Sequence, residues 1–409
     1  MTVRYRGLTW DHPRGYGALR AAAKLQPLID WDVHSLEGFE SAPIKDICAR
    51  YDLVVLDHSH LGEGMAQSCL RPLDEIFDAE DLARIASASI GRTYDSYHMD
   101  GRQWALPLDA ATQVMAVRAD LLAKLDGAAP ASLAGNTAQQ QQAVESRSSG
   151  AAQQGMIDIP KTWDEVRALS ARTGKVAMSL AGPHALLSFL SIAAALDPAA
   201  DLRNGDRWHT HAVATEACEL LLELTARSPA SVRALNPIGL LAHMTAHEDV
   251  MLCPLVYGYV NYASASLAHP LAFHDAPSGK DSVPGSILGG TGIAISTRCE
   301  PDAALREHLL WLMNEATQTG FIPLHEGQPS NLASWADPQV NTASGDFYRQ
   351  TTRTLTHAQI RPRHDGYIAF QDRGSALLRE GMAAGTPASQ LADALAQLFA
   401  TTHSSRTPA

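Results

Sequence analysis

The chain has 409 residues, more than one core of ordinary size holds, so two or three domains are expected and a single short ligand module is excluded. A net charge of -12 argues against a broad basic track for nucleic acid or anionic lipid, and 45% hydrophobic with 19% charged residues excludes a disordered chain. Apolar runs such as residues 53–56 and 186–196 fall short of the ~20 residues that a membrane span needs. The opening fifteen residues lack the apolar centre of a secretory leader. As written, the chain is expected in the cytoplasm, and in the periplasm if a leader is missing from this sequence. The five cysteines (Cys48, Cys69, Cys218, Cys253, Cys299) are scattered without a Cys-x-x-Cys pair and read as reduced, buried thiols.

In chain order, residues 3–9 alternate as a short strand, His12-Pro13-Arg14-Gly15 turns the chain, and residues 17–28 carry Leu19, Ala22, Ala23 and Leu25 at helical spacing. Residues 32–36 read as a second strand, 44–50 as a helix, and Tyr51-Asp52-Leu53-Val54-Val55-Leu56-Asp57 as a buried strand ending in polar residues. This alternation predicts an α/β fold with a parallel sheet covered by helices on both faces. Ligands of such sheets gather beyond the carboxyl ends of the strands, where residues 10–14 and 57–60 fall.

Residues 103–108 and 112–117 look extended. From 127 to 155 the composition shifts to Ala, Gln, Ser and Gly, and this stretch is expected to be a surface insertion without a core of its own. Thr162 with Glu165 forms a capping box for a helix over 163–172, and helical patterns dominate 185–241. The segment SILGGTGIAIS at 286–296 reads as a glycine turn feeding a strand, with a helix following over 301–314. Gly289, Gly290 and Gly292 do not have the spacing of a dinucleotide fingerprint and read as structural.

Six segments between about residues 50 and 370 resemble, in order, the family 1 extracellular solute-binding proteins of ABC transporters, the maltose-binding-protein-like group. They are YDLVVLDHSHLGEGMAQSCLRPLDE, YHMDGRQWALPLDAATQVMAVRADLL, IPKTWDEV, MLCPLVYGYVNYA, LGGTGIAIS with its following helix, and FIPLHEGQPSN with GYIAF. The resemblance implies a two-lobed, type II-like periplasmic-binding-protein fold, with lobes at 1–108 plus 275–318 and 109–274 plus 319–409. Hinge strands would join them around a ligand cleft. It also implies a small polar solute (sugar, polyol or small carboxylate) and an ABC transporter permease as partners. No cofactor, no metal, no nucleic acid and no membrane span are expected. The missing leader and lipidation cysteine, and the Gln-rich insertion, depart from that pattern.

Candidate ligand-binding residues fall at strand ends. In Trp10-Asp11-His12-Pro13-Arg14, Arg14 can grip an anion with two prongs, His12 can exchange a hydrogen bond and Trp10 offers a flat apolar face. The structural alternative has Asp11 capping the next helix and Arg14 solvated. Asp57, His58 and His60 can hydrogen-bond a polar solute. Imidazole and carboxylate also suit a metal, although the spacing is no recognised zinc signature and Asp57 or Ser59 can equally cap a helix.

The resemblance places Asp109 at the first hinge crossing, Gly290 and Thr291 where backbone amides reach the cleft, and Glu326, Gln328, Arg361 and Arg363 near its rim. Alternation puts Tyr257 and Tyr259 on one face of their strand and Val256 with Val260 on the other. No Gly-x-Ser-x-Gly elbow or His-Glu-x-x-His helix is present. A cytoplasmic enzyme or sensor derived from the same fold, using His12, His58, Asp57 and Asp109 as acids and bases, is the alternative to solute binding.

Overall fold

A computed structural model of the chain describes residues 5–125, 158–203, 208–279 and 282–404. The Gln-rich stretch expected to form an insertion lies outside the described residues. Seven strands carry the architecture: β1 (Tyr5–Trp10), β2 (Ile29–His34), β3 (Leu53–Leu56), β4 (Ala105–Val117), β5 (Leu252–Tyr257), β6 (Ala272–His274) and β7 (Leu288–Ile295). The first three run parallel in the order β2-β1-β3, with Tyr5 opposite Ile29 and Gly7 opposite Leu53. This is the parallel arrangement expected from the alternation of strands and helices.

β7 joins β3 antiparallel, Leu56 facing Gly292, and β4 joins β7 antiparallel, Ala105 facing Ala294. The two extended segments expected at 103–108 and 112–117 are one strand of 13 residues. Its first part pairs with β7 up to Thr112, and its last part pairs with β5 and β6, Val117 facing both Leu252 and Ala272. β4 therefore belongs to two sheets. Its pairing with β7 shifts register between Pro107 and Asp109, where proline has no N–H to give to the ladder. A second shift, against β5, lies between Val114 and Ala116.

Both sheets are covered on both faces, and strand alternation divides the side chains between them. In the first, Leu53, Val55, Ile293 and Ile295 pack with Leu19 and Leu309 on one face, while Val54, Leu56 and Ala294 pack with Ile44, Ile47 and Tyr97 on the other. Gly292 lets Tyr97 lie flat on this sheet, since a Cβ there would stand 2.8 Å from the ring. In the second, Met115, Val117 and Leu252 face the helices His184–Leu196, His211–Arg227, Tyr367–Ala384 and Ala388–Ser404, while Val114, Ala116 and Cys253 face Leu240 and Phe347. Ile322 still packs with the first sheet, whereas Trp335 packs with the second.

Local signals placed most helices. Thr162 and Glu165 form the expected capping box of Trp163–Thr173, which ends at Gly174 in the left-handed conformation. The first helix, Pro13–Leu25, starts four residues before the expected position. Pro13 suits its first turn, and His12 Nδ1 accepts a hydrogen bond from the Arg14 amide at 3.1 Å.

Candidate functional site

A narrow cavity of about 50 Å³ lies where the two sheets' helices and loops meet. From the first sheet it is lined by Trp10, Arg14, Phe39, Glu40, Asp57 and Ser59, from β4 and β7 by Ala111, Gly290 and Thr291, and from the second sheet's side by His184, Tyr257, Tyr259, Arg361 and Gln371. Trp10 ends β1, and Asp57 directly follows β3. These are the carboxyl ends at which a parallel sheet presents ligand-contacting residues.

Trp10 is held by its neighbours in the turn. A Cβ on Gly15 would sit 2.5 Å from the indole, so any side chain there displaces the ring. Thr9 closes the turn by donating its hydroxyl to the Gly15 carbonyl at 3.1 Å. Arg14, in the first turn of the helix, donates Nε to Asp109 Oδ2 at 2.7 Å and Nη2 to Asp109 Oδ1. Its Nη1 reaches the Gly258 carbonyl at 2.9 Å. Its guanidinium also lies 4.6 Å from the centre of the Tyr259 ring. Burial opposes the charge on Arg14, but the Asp109 carboxylate leaves it above its ordinary value.

Asp57 is bonded to Arg361 Nη2 and lies 3.0 Å from His58 Nδ1. Burial raises its pKa, yet Arg361 and His58 outweigh that and hold it well below the usual carboxylate range. Arg361 Nη1 donates to Gln371 Oε1 at 2.9 Å. On another wall His184 Nε2 lies 3.0 Å from Glu40 Oε1, and the His184 ring stands edge-on to Tyr257 at 5.8 Å. Asp57 with Arg361, and Glu40 with His184, join residues from opposite sides of the cleft.

Several polar atoms of this wall are buried and have no hydrogen-bond partner among the described residues: Trp10 Nε1, Tyr257 Oη, Thr291 Oγ1 and Arg361 Nε. A buried polar atom left unpaired costs about 1–3 kcal/mol. His184 Nδ1 is unpaired as well, and unpaired polar atoms on residues that line one cavity suit a polar ligand.

Of the residues expected from the sequence, Trp10, Arg14, Asp57, Tyr257, Tyr259, Gly290, Thr291 and Arg361 are brought together on this wall. Asp109 lies behind it, gripping Arg14. His58 is fully buried behind Asp57, and His60 Nε2 lies 3.2 Å from the Phe39 carbonyl oxygen. Burial takes His58 down to about 4, although Asp57 pulls the other way.

Asp11 is exposed, and His12 and Glu326 line a separate depression with Tyr262 and Tyr348. Gln328 is a staple, its Nε2 donating to the Ala110 carbonyl at 2.7 Å. Arg363 donates to the carbonyls of Asp95, Ser96 and His98. Gly290 combines a φ of +88° with a Cβ position 2.4 Å from the Asp109 carbonyl oxygen, so it is needed structurally as well as lining the cavity.

Sequence reasoning missed Phe39, Glu40 and His184. Phe39 and Glu40 belong to the short helix Leu36–Ser41, at the carboxyl end of β2, and the rule that singled out residues 10–14 applies there too. Gly182-Pro183 marks the start of the helix at His184, a breaker that places a polar first residue at its open end.

No protein-family model matches the sequence, and no curated protein does. Solved structures match over nearly the whole chain. An ABC transporter solute-binding protein from Agrobacterium radiobacter K84, in complex with ribitol, superposes with a TM-score of 0.72 at 16% identity, covering 98% of each chain. The chain has the two-lobed solute-binding-protein fold. Maltose-bound MalE3 of T. maritima matches with a TM-score of 0.72 at 15% identity over 98% of this chain and 100% of that one. UgpB of Mycobacterium tuberculosis, in complex with glycerophosphocholine, matches with a TM-score of 0.72 at 14% identity over the full length of both. β4 pairs in both sheets, and the cavity lies between them.

Among the described residues no helix is long and apolar enough to cross a membrane.

Proposed function

We propose that the protein binds a small, hydroxyl-bearing solute of the sugar or polyol kind in the interlobe cleft and delivers it to the permease of an ABC transporter. The observation that carries this reading is the set of unpaired buried atoms, among them Trp10 Nε1, Tyr257 Oη, Thr291 Oγ1 and Arg361 Nε, on residues that line one cavity. Sugars and polyols offer many hydroxyls that accept and donate at short range, which suits such a mixed wall. Both arginines of the wall are already committed to carboxylates, Arg14 to Asp109 and Arg361 to Asp57. A small carboxylate would therefore find no uncommitted cation, and this favours hydroxyls over the anionic alternative.

We place the passages of the chain between lobes in β4, between His274 and Leu288, and between Ile322 and Trp335. Service to a transporter requires the protein on the face from which solute is collected, the periplasm or the cell exterior. Of the acid–base candidates only Asp57 lines the wall, and it is paired with Arg361, while His12 lines a different depression and His58 is buried behind Asp57. A thermal-shift screen across sugars, polyols, small carboxylates and phosphate esters, followed by calorimetry on each positive, tests the reading, because a ligand that binds only the native state raises its melting temperature. A response confined to carboxylates, or conversion of the solute during incubation, would overturn it.

A further inference from the structure

The charges of the cleft wall do not cancel. Arg14 is spent on Asp109 and Arg361 on Asp57, which leaves Glu40. Its one basic neighbour on the wall is His184, with Nε2 3.0 Å from Oε1, a pairing that neutralises the carboxylate only if the imidazole is protonated. With the imidazole neutral, the cleft holds one negative charge in excess, inside a protein of net charge -12. That charge shares its wall with aromatic rings. Phe39 precedes it on the same short helix, Trp10 packs on Phe39 with ring centres 5.2 Å apart, and Tyr257 lies across the cleft beside His184. The Glu40 charge is close enough to Tyr257 and Tyr259 to oppose ionisation of both phenols.

Resting on the solute-binding reading above, we propose that the solute carries a cationic nitrogen, seated between the Glu40 carboxylate and the faces of Trp10, Phe39 and Tyr257, with its hydroxyls on Thr291 and Arg361. A carboxylate in a half-buried wall attracts an ammonium strongly once water is excluded. Aromatic faces add to this through their negative π-clouds and hold methylated nitrogen especially well. Neither element repels a neutral polyol. The proposal is therefore one of preference within the same cleft, and it assigns to Glu40 and Phe39 the discrimination between cationic and neutral solutes.

Matched probes test it. Choline is compared with its uncharged isostere 3,3-dimethylbutan-1-ol, and 1-amino-1-deoxysorbitol with sorbitol, by calorimetry on the full chain at about pH 8, where an ordinary imidazole is neutral. The expected result is that in at least one pair the cationic member binds about tenfold or more tightly, and that Glu40→Gln reduces this preference to about threefold or less. Phe39→Leu, which keeps the charge and removes the ring, should cut choline affinity more than that of its isostere, and it serves as the deciding variant if Glu40→Gln does not fold. Equal or tighter binding of the neutral members in both pairs, or a preference that survives Glu40→Gln, overturns the proposal. If the four probes are silent while other sugars or polyols bind, the cationic class falls and the cleft reading stands. If every solute is silent, both fall.

Discussion

Arg14 and Asp109 form a two-pronged ion pair with both side chains only 4% exposed. It fastens the carboxyl end of β1 to β4. Arg14 also donates to the carbonyl of Gly258, just past β5, so a single guanidinium ties the end of β1, the strand common to both sheets and the end of β5 together. Burying two charges is costly, and their attraction repays the cost only while both are present.

Removing one partner should therefore cost more than removing both. Arg14→Met leaves Asp109 buried and unpaired and should destabilise the protein by about 3–5 kcal/mol, whereas Arg14→Met combined with Asp109→Leu should recover most of that loss. Urea denaturation of the single and double variants measures the difference. Equal losses in both would show that the pair contributes little as a unit.

Asp57, just past β3, and Arg361, from the second sheet's side, pair across the cavity. Asp57→Asn keeps the shape but removes the charge, and it should weaken solute binding by about 1–3 kcal/mol, the scale for a buried polar partner lost. The solute should be recovered unchanged by mass analysis from wild type and variant alike. Affinity within experimental error of wild type would remove Asp57 from the site.

Gly289 supports Tyr257 from below: a Cβ there would stand 2.4 Å from the ring. Gly289→Ala should push Tyr257 toward the cavity, lowering solute affinity by about tenfold and stability by about 1–3 kcal/mol for the overpacking. Calorimetry and thermal melting read the two effects separately. An unchanged affinity would mean that the ring moves aside without narrowing the cleft.

Stability should fall as pH drops from about 6.5 toward 4. Burial holds His12, His58 and His209 neutral in the folded state, each lowered from 6.5 to about 4, with nearby Arg14 adding to the effect at His12. In this window the unfolded chain binds the protons that the folded chain refuses, so protonation draws the equilibrium toward unfolding. The loss is absent above 6.5, grows by about 1.4 kcal/mol per pH unit for each histidine, and levels off below 4 as the folded form protonates too. Urea midpoints between pH 7 and 4 check the sign, and replacing His209 with Phe should flatten the slope.

Much of the architecture was legible in the chain itself. The run at 53–56 announces a strand buried on both faces, because every position is apolar and both faces are in fact covered, whereas Gly289, Gly290 and Gly292, read as part of a turn, lie inside the strand. The capping box at Thr162 and Glu165 is a local device whose partners lie within one turn, so composition alone determines it. The positions of Trp10 and Asp57 beyond strand ends followed from chain topology. By contrast, Gln103 to Val117 looked like two extended pieces, because a strand that passes between sheets changes partners midway while its own backbone stays extended.

What the sequence by itself determined was the order of strands and helices, since hydrophobic period and capping act over a few residues. The tertiary structure alone decided which charges meet: Asp109 lies 95 residues from Arg14, and Arg361 lies 304 residues from Asp57. It also brought Glu40 and His184 to one wall. Electrostatic pairing depends on distance in space and on exclusion of water, and both are set only when the two lobes pack against each other.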